Sequence, residues 1–387
     1  MTYQDNCTIP TEILEEITAG GLESLPELIR IMVNEAMILE RKVHLGAGPY
    51  ERTPTRRGYS NGFKRKSVKT RMGEIEFAIP QVREGGFYPE ALEKGMRSER
   101  ALTLALAEMY VQGVSTRRVA AITEKLCGTR VSSAQVSRAT AMLDEVLEAW
   151  RRQPLGETIY LYLDARYEKV RIDGQILDAA ILMAAGVSMD GKRRILGVSV
   201  SLSEAQVHWR SFMESLLERG LKGVQLITSD DHAGLRKARQ ALFTGVPWQR
   251  CQFHLQQNAS QYVPRKKMRR EVAADIGAVF HAPDREQAEV YLKQIVTKYA
   301  SSASDLANWL EVSILEGLTV FDFPPDHWRR IRTSNVLERV SQEIKRRTRV
   351  IRLFPNVASC LRLVSAVLME RSEDWETGRV YLNINSV

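Results

Sequence analysis

An α/β fold is predicted from three observations on the sequence. Strand-like runs crowd residues 158–201, a helical stretch followed by a second apolar strand occupies 204–230, and helical periodicity fills much of the remainder. At 387 residues the chain is long enough for two or three domains with proper cores.

Residues 1–50 read as an N-terminal helical region. Ile29, Met32, Val33, Ala36, Met37 and Leu39 form an apolar stripe between Leu28 and Val43, for which core packing is the default use and self-association the other. From Thr55 to Gly73 the chain carries Arg56, Arg57, Lys64, Arg65, Lys66, Lys69 and Arg71 with no acid, interleaved with Tyr59 and Phe63. Such a stripe suits phosphate contacts, the bland alternative being a solvated linker. Strand-like runs around Gly73, from Val68 to Val82, assign 51–96 to a small basic β element. Residues 97–153 are helical with two breaks. Ser115-Thr116 opens one helix, with Val119, Ala120, Ile122 and Leu126 on one face, and Cys127-Gly128 closes it. Ser132-Ser133 opens the next, with Val136, Ala139, Met142, Leu143 and Val146 inward. This is the pattern of a helix-turn-helix, whose second helix would present Ser133, Gln135, Ser137 and Arg138 to bases and phosphates; an ordinary helical hairpin shows it too.

Arg152-Gln-Pro154-Leu-Gly156 reads as the linker into a core. Thr158 to Asp164 is an apolar central strand that stops at a carboxylate, and Tyr167–Ile172, Ile176–Ser188 and Arg194–Ser201 are strand-like. Asp173-Gly174 and Asp190-Gly191 separate them as hairpin signals, because both central positions of a type I′ turn need positive φ. A helix from Glu204 to Arg219 follows, with Gly220 fitting its C′ position. The strand Gly223–Asp230 stops at a second carboxylate, a helix begins near Ala233, and Pro247–Phe253 reads as a fifth strand with His254 at its end. Three antiparallel strands, a helix, a parallel strand and another helix is the order of the ribonuclease H-like fold, so 154–255 is its first part. The helical stretch 256–330 is too long for a plain connection and is expected to be an all-helical insertion. Arg265, Lys266, Lys267, Arg269 and Arg270 form a basic cluster at its start, and Trp328 near its end is assigned to packing rather than base stacking. Residues 331–375 return to the core with the final helix, and 376–387 form a tail.

Two parallel strands ending in Asp164 and Asp230 would set both carboxylates side by side at the carboxyl edge, where open α/β sheets bind ligands. Glu338, early in the last helical pattern, is a third acid able to reach that edge. Mg²⁺ or Mn²⁺ prefers hard oxygen donors and can clamp the attacking and leaving oxygens of a phosphodiester. The bland readings are a turn former or cap for each Asp and a solvated ion pair with Arg339 for Glu338. Cys251-Gln-Phe-His254 has the look of a metal half-site, but no second Cys or His pair has zinc-site spacing. His254 would then contact phosphate, tune a carboxylate or be a buried histidine, and His232 is a helix-entry or site residue.

Leu163–Arg171, Thr228–Leu235 and Trp248–His254 resemble successive blocks of the Mutator-type transposases of bacterial insertion sequences. Ile331–Arg339, continuing through Arg346-Arg347-Thr348-Arg349 to Phe354-Pro355-Asn356, is similar to their last block. The likeness begins at Arg57–Gly62 and Thr70–Gly73 and so covers nearly the whole chain. It implies that Asp164, Asp230 and Glu338 are a catalytic, metal-binding Asp-Asp-Glu triad. Glu343 is the competing third acid, and His232, Cys251, His254 and Asn335 are site-adjacent candidates. It further implies Mg²⁺, with Mn²⁺ as the substitute, and a DNA transposase that binds terminal inverted repeats and target DNA as a homodimer or higher oligomer. The alternatives are a non-catalytic DNA-binding descendant and a ribonuclease H-like nuclease that does not join strands.

Composition agrees. A net charge of +8 and a pI near 9.3 favour a polyanionic partner. Arg346, Arg347 and Arg349 add a basic face just after Glu338. Cys7, Cys127, Cys251 and Cys360 are scattered, which argues for a reducing compartment rather than a disulfide framework. With no membrane-length apolar run and no signal-peptide pattern at the start, a cytoplasmic, nucleoid-associated protein is expected.

Overall fold

The computed structural model describes residues 15, 18–83, 86–95 and 97–384; Cys7 and the ends of the chain lie outside them. It divides into two units, Met1–Met142 and Leu143–Val387.

In the first unit, α1 (Leu25–Leu45) ends at Gly46, whose φ of 65° is the left-handed cap that glycine adopts freely. Strands β1 (Ser60–Thr70) and β2 (Gly73–Val82) pair antiparallel as a hairpin. Alternation in β2 turns Ile75, Phe77 and Ile79 inward, where they meet Val68, Leu92 and Met37, with Ile29 and Val33 against them. The expected stripe on α1 is thus only partly buried. Ile29, Val33 and Met37 follow the four-residue spacing of one face, while Met32 and Leu39 fall off it and are exposed. Three helices follow, α2 (Arg100–Val111), α3 (Thr116–Cys127) and α4 (Ser133–Ala141), packed through Leu102, Leu106, Val119, Val131, Val136 and Ala139. Ser115 caps α3 through the Arg118 N–H, Gly128 at φ 60° ends it, and Ser132 with Gln135 forms a capping box on α4. Leu126 and Met142, expected inward, are exposed. The chain breaks after Ala141, so the phase assumed through Val146 is lost, and Val146 is exposed as well.

The second unit opens with α5 (Asp144–Arg152). Its sheet holds β3 (Thr158–Ile172), β4 (Gln175–Ser188), β5 (Arg193–Ser201), β6 (Leu226–Ser229) and β7 (Trp248–Arg250), in the order β5-β4-β3-β6-β7. The first three run antiparallel, and β3, β6 and β7 run parallel. On one face α6 (Gln206–Glu218) and α7 (Ala233–Leu242) bury Leu161, Leu163, Leu182, Trp209, Phe212 and Leu235. On the other, α14 (Val357–Thr377) packs against β5, where Ser372 Oγ accepts the Ile195 N–H at 3.0 Å. The two Asp-Gly pairs differ. Asp173 and Gly174 have φ of 48° and 80°, as a type I′ hairpin requires, whereas at the second pair only Gly191 is positive, in a longer loop closed by Ser188 and Lys192. A side chain at Gly191 would meet the Leu382 carbonyl, whose residue donates its N–H to Gly191 O, so the close approach of the C-terminal segment also demands glycine there.

Two strand expectations change. β3 does not stop at Asp164 but runs eight residues further, because β4 continues to supply hydrogen bonds from Met183 to Gln175 after β6 has ended. The fifth strand ends at Arg250. Beyond it the Gln252 N–H bonds to Arg332 O instead of a strand neighbour, and α8 (Gln252–Ala259) begins, so His254 lies in a helix. Helices α9 (Arg269–Phe280), α10 (Arg285–Tyr299) and α11 (Ser304–Ser313) then enclose their own core around Ile276, Leu292, Leu306 and Leu310. Short α12 (Pro325–Ile331) and α13 (Asn335–Thr348) bring the chain back over the sheet. Among the described residues no helix is long and apolar enough to cross a membrane.

Candidate active site

Strand register builds the site. Leu163 pairs with Ser229 and Ser229 with Arg250, so the next residue on each strand, Asp164, Asp230 and Cys251, forms one row at the carboxyl edge. Parallel neighbours lie roughly 4.8 Å apart, so two carboxylates and a thiol are held close by backbone pairing alone. The Cys251 N–H still reaches Ser229 O at 2.8 Å, which continues the row. Cys251 is the N-cap of α8, and His254 lies three residues into the helix on the same side.

Glu338 arrives from α13 through a set of cross-links. Thr228 Oγ1 donates to Ile331 O at 2.7 Å, Tyr162 OH to Arg330 O at 3.2 Å, and the Ser334 N–H to Cys251 Sγ at 3.3 Å. Further along, the Arg166 guanidinium donates to Ser341 O and pairs with Glu168 at 2.5 Å, while Thr348 Oγ1 donates to Glu168 at 2.9 Å. The sequence reading missed Arg166 and Glu168. Their signal was an Arg and a Glu two residues apart on the strand that carries Asp164, charged side chains that need partners when partly buried. Cys251 Sγ lies 4.0 Å from Glu338 Oε1.

The electrostatics are those of crowded acids. Burial pushes the Asp164 carboxyl up to about 7; His254 and the Ala165 N–H oppose this, and Glu338 and Asp230 reinforce it. Burial likewise raises Glu338, against His254 and Ser334. For His254 burial acts downward, but Cys251, Asp230 and Asp164 outweigh it and lift the imidazole to about 9. Asp230 Oδ1 is buried without a hydrogen-bond partner. An unpaired buried carboxylate oxygen among mutually repelling acids is a donor set that fits a hard divalent cation. Glu343 has a different setting. Hydrogen bonds from Arg346 and Arg347 hold it down at about 2.

The remaining predicted residues divide. His232 is the N-cap of α7, its Nδ1 accepting the Gly234 N–H at 3.3 Å; Asn335 is exposed at the first position of α13. Arg57, Lys64, Arg65, Ser133, Ser137, Arg138, Arg346 and Arg349 are exposed. Arg56 stacks on Tyr59 at 4.8 Å. Three of the predicted residues have partners within the protein, and for Arg347 the assignment changes. Lys66, part-exposed, donates to Tyr88 OH at 2.8 Å; Gln135 Oε1 accepts the Ser132 N–H at 2.8 Å as a cap; and Arg347 is buried between Glu343 and Glu370. Burial removes Arg347 from the expected DNA face, whereas Lys66 and Gln135 stay part-exposed beside Lys64 and Arg65. Within the first unit, Lys64, Arg65, Lys69, Arg97 and Gln135 line one concavity of about 650 Å³, so the basic strand and the start of α4 share a surface. Trp328 packs, its Nε1 donating to Phe323 O at 2.6 Å and its ring meeting Phe321 edge-on.

The class of molecule that fold and site define is an α/β protein whose mixed sheet carries a part-buried acidic cluster at its carboxyl edge. The chain matches the model of "Transposase, Mutator family" over residues 5–378, and it belongs to that family. It is 59% identical to the transposase for insertion sequence element IS406 of Burkholderia multivorans, over 95% of each chain. It is 35% identical to the transposase for IS256 in transposon Tn4001 of Staphylococcus aureus, over 99% of each. The transposase for IS1081 of Mycobacterium tuberculosis is also 35% identical, over 97% of this chain and 92% of that one.

Proposed function

We propose that this transposase cuts and joins DNA at the ends of an insertion sequence by metal-dependent phosphoryl transfer, with Asp164, Asp230 and Glu338 as its acidic triad on a ribonuclease H-like core. The observation that carries the reading is the row of Asp164 and Asp230 on adjacent parallel strands, with Glu338 electrostatically coupled to Asp164. These three residues would hold Mg²⁺ or Mn²⁺. A bound divalent cation would neutralise charge at the scissile phosphate and acidify the attacking hydroxyl. The chain's own contribution is to position the carboxylates, and the tethers from Arg166, Glu168 and Thr228 do so without relying on flexible loops. Exposed Arg57, Lys64, Arg65 and Arg138 are assigned to DNA contacts, α3 and α4 to a helix-turn-helix, and the working form to a homodimer or higher assembly on DNA.

Incubating the protein with labelled element-end DNA and Mg²⁺ or Mn²⁺ tests this. Cleavage and joining are expected, both lost in Asp164→Ala, Asp230→Ala and Glu338→Ala. Cleavage that survives one of these substitutions removes that residue from the triad; cutting without joining indicates a nuclease, and binding without cutting a DNA-binding descendant.

A further inference from the structure

The site holds a second donor set that hard-cation chemistry does not use. Donor atoms of Cys251, His254 and Glu338 lie within 4.8 Å of one another. Two are fixed by one helical turn, since a Cys-x-x-His spacing at the start of α8 places thiol and imidazole on the same side. The third comes from α13, which the sequence spacing alone did not reveal.

Two observations point to a ligand. His254 Nδ1 is buried and has no hydrogen-bond partner. Cys251 is wholly buried and its sulfur accepts the Ser334 N–H at 3.3 Å, the kind of hydrogen bond to sulfur that tunes metal-bound thiolates. One sulfur, one imidazole nitrogen and one carboxylate oxygen are donors that Zn²⁺ accepts, and three protein ligands leave its fourth tetrahedral position open. Mg²⁺ takes oxygen ligands in a near-ideal octahedron and has no use for a thiolate.

We propose that Cys251, His254 and Glu338 form a site for a borderline-soft divalent ion of the Zn²⁺ type, which draws Glu338 away from the hard-cation set and so holds the protein inactive. Coordination makes one bond each to sulfur, nitrogen and oxygen. The thiol proton and any proton on the ligating imidazole nitrogen pass to solvent, and nothing is oxidised or reduced. The inhibitory half rests on the triad proposed above; the binding half does not.

The test titrates the full-length, reduced, metal-stripped protein with Cd²⁺ and reads the sulfur-to-metal charge-transfer absorption, followed by displacement with Zn²⁺. Wild type and Cys127→Ser should give the band at about one equivalent. Cys251→Ser should lose it, and His254→Asn and Glu338→Gln should bind at least about 10-fold more weakly. Circular dichroism checks each fold, and should Cys251→Ser fail to fold, the other two variants decide. A band that survives Cys251→Ser, or an affinity indifferent to both His254→Asn and Glu338→Gln, overturns the site. In a second arm, Zn²⁺ at one equivalent should stop Mg²⁺-supported end cleavage and a zinc chelator should restore it. Cleavage indifferent to zinc in a protein that shows the band overturns the inhibitory role. Absence of the band with cleavage intact overturns the site while leaving the triad standing.

Discussion

Glu338 and Glu343 stand five residues apart on one helix in opposite electrostatic settings. Burial raises the first, while Arg346 and then Arg347 hold the second down at about 2. A cation ligand should have unspent donor capacity, and Glu343 has spent its own on two guanidinium groups. Glu338→Gln should therefore lower end cleavage by at least about 100-fold, since a catalytic metal contributes several kcal/mol to the transition state. Glu343→Gln should leave cleavage within a few fold and cost about 1 kcal/mol of stability; a cleavage assay on both variants that ranks them the other way would transfer the third place to Glu343. The stability effect has a defined pH dependence. A carboxyl lowered from 4.5 to about 2 adds stability that is fully present above pH 4.5 and is lost as pH falls towards 2. The gap in urea midpoint between wild type and Glu343→Gln should accordingly be widest near neutrality and narrower at about pH 3. An unchanged gap would mean that the ion pairs are not its source.

At the scale of elements, α13 is placed by contacts that no sequence pattern announces. Arg166 and Ser341 are 175 residues apart, and Glu168 and Thr348 are 180 apart. Asp164 and Asp230 were legible because apolar strands ran into carboxylates, and the Asp-Gly and Ser-x-x-Gln signals marked turns and caps by local chemistry. Local chemistry could not show where β3 ends, because that depends on β4 outlasting β6, nor that Phe253 and His254 leave the sheet once Gln252 bonds to Arg332. It also read Arg347 as one of a basic run, when helical spacing turns that residue inward onto Glu343 and Glu370. If β3 positions α13 through Arg166, then Arg166→Met should speed amide exchange across Asn335–Thr348 while β3 and β4 keep their protection. Cleavage should fall by about 10- to 100-fold with DNA affinity little changed, as expected when a ligand is misplaced rather than removed. Arg166→Lys, which keeps the charge but not the planar guanidinium fork, should recover part of the loss. Unaltered exchange in α13 would assign the contact to no positioning role.

For the whole molecule the charge excess of +8 matters through where it is free. Many of the cations are already paired inside the protein: Arg347 with two glutamates, Arg250 with Asp231 and Glu316, and Arg166 with Glu168. Two cations on β1 differ, since Lys64 is exposed and Arg65 pairs with Glu76 in a solvent-exposed contact at 3.4 Å, which a phosphate can replace at little cost. Each phosphate contact releases counterions and adds about 0.9 to the slope of log affinity against log salt. In the full-length protein, Lys64→Ala with Arg65→Ala should therefore flatten that slope by about 1.8 and weaken binding to element ends and unrelated duplex alike. Arg138→Ala on α4 should instead narrow the difference between the two DNAs, because a base-facing residue carries sequence preference and a phosphate-facing one does not. Fluorescence anisotropy over a salt series measures both. A slope unchanged by the double substitution would take Lys64 and Arg65 out of the DNA interface, and Arg57 and Arg138 in the first unit, then Arg346, Arg349 and the cluster from Arg265 to Arg270 in the second, are the exposed cations to substitute next.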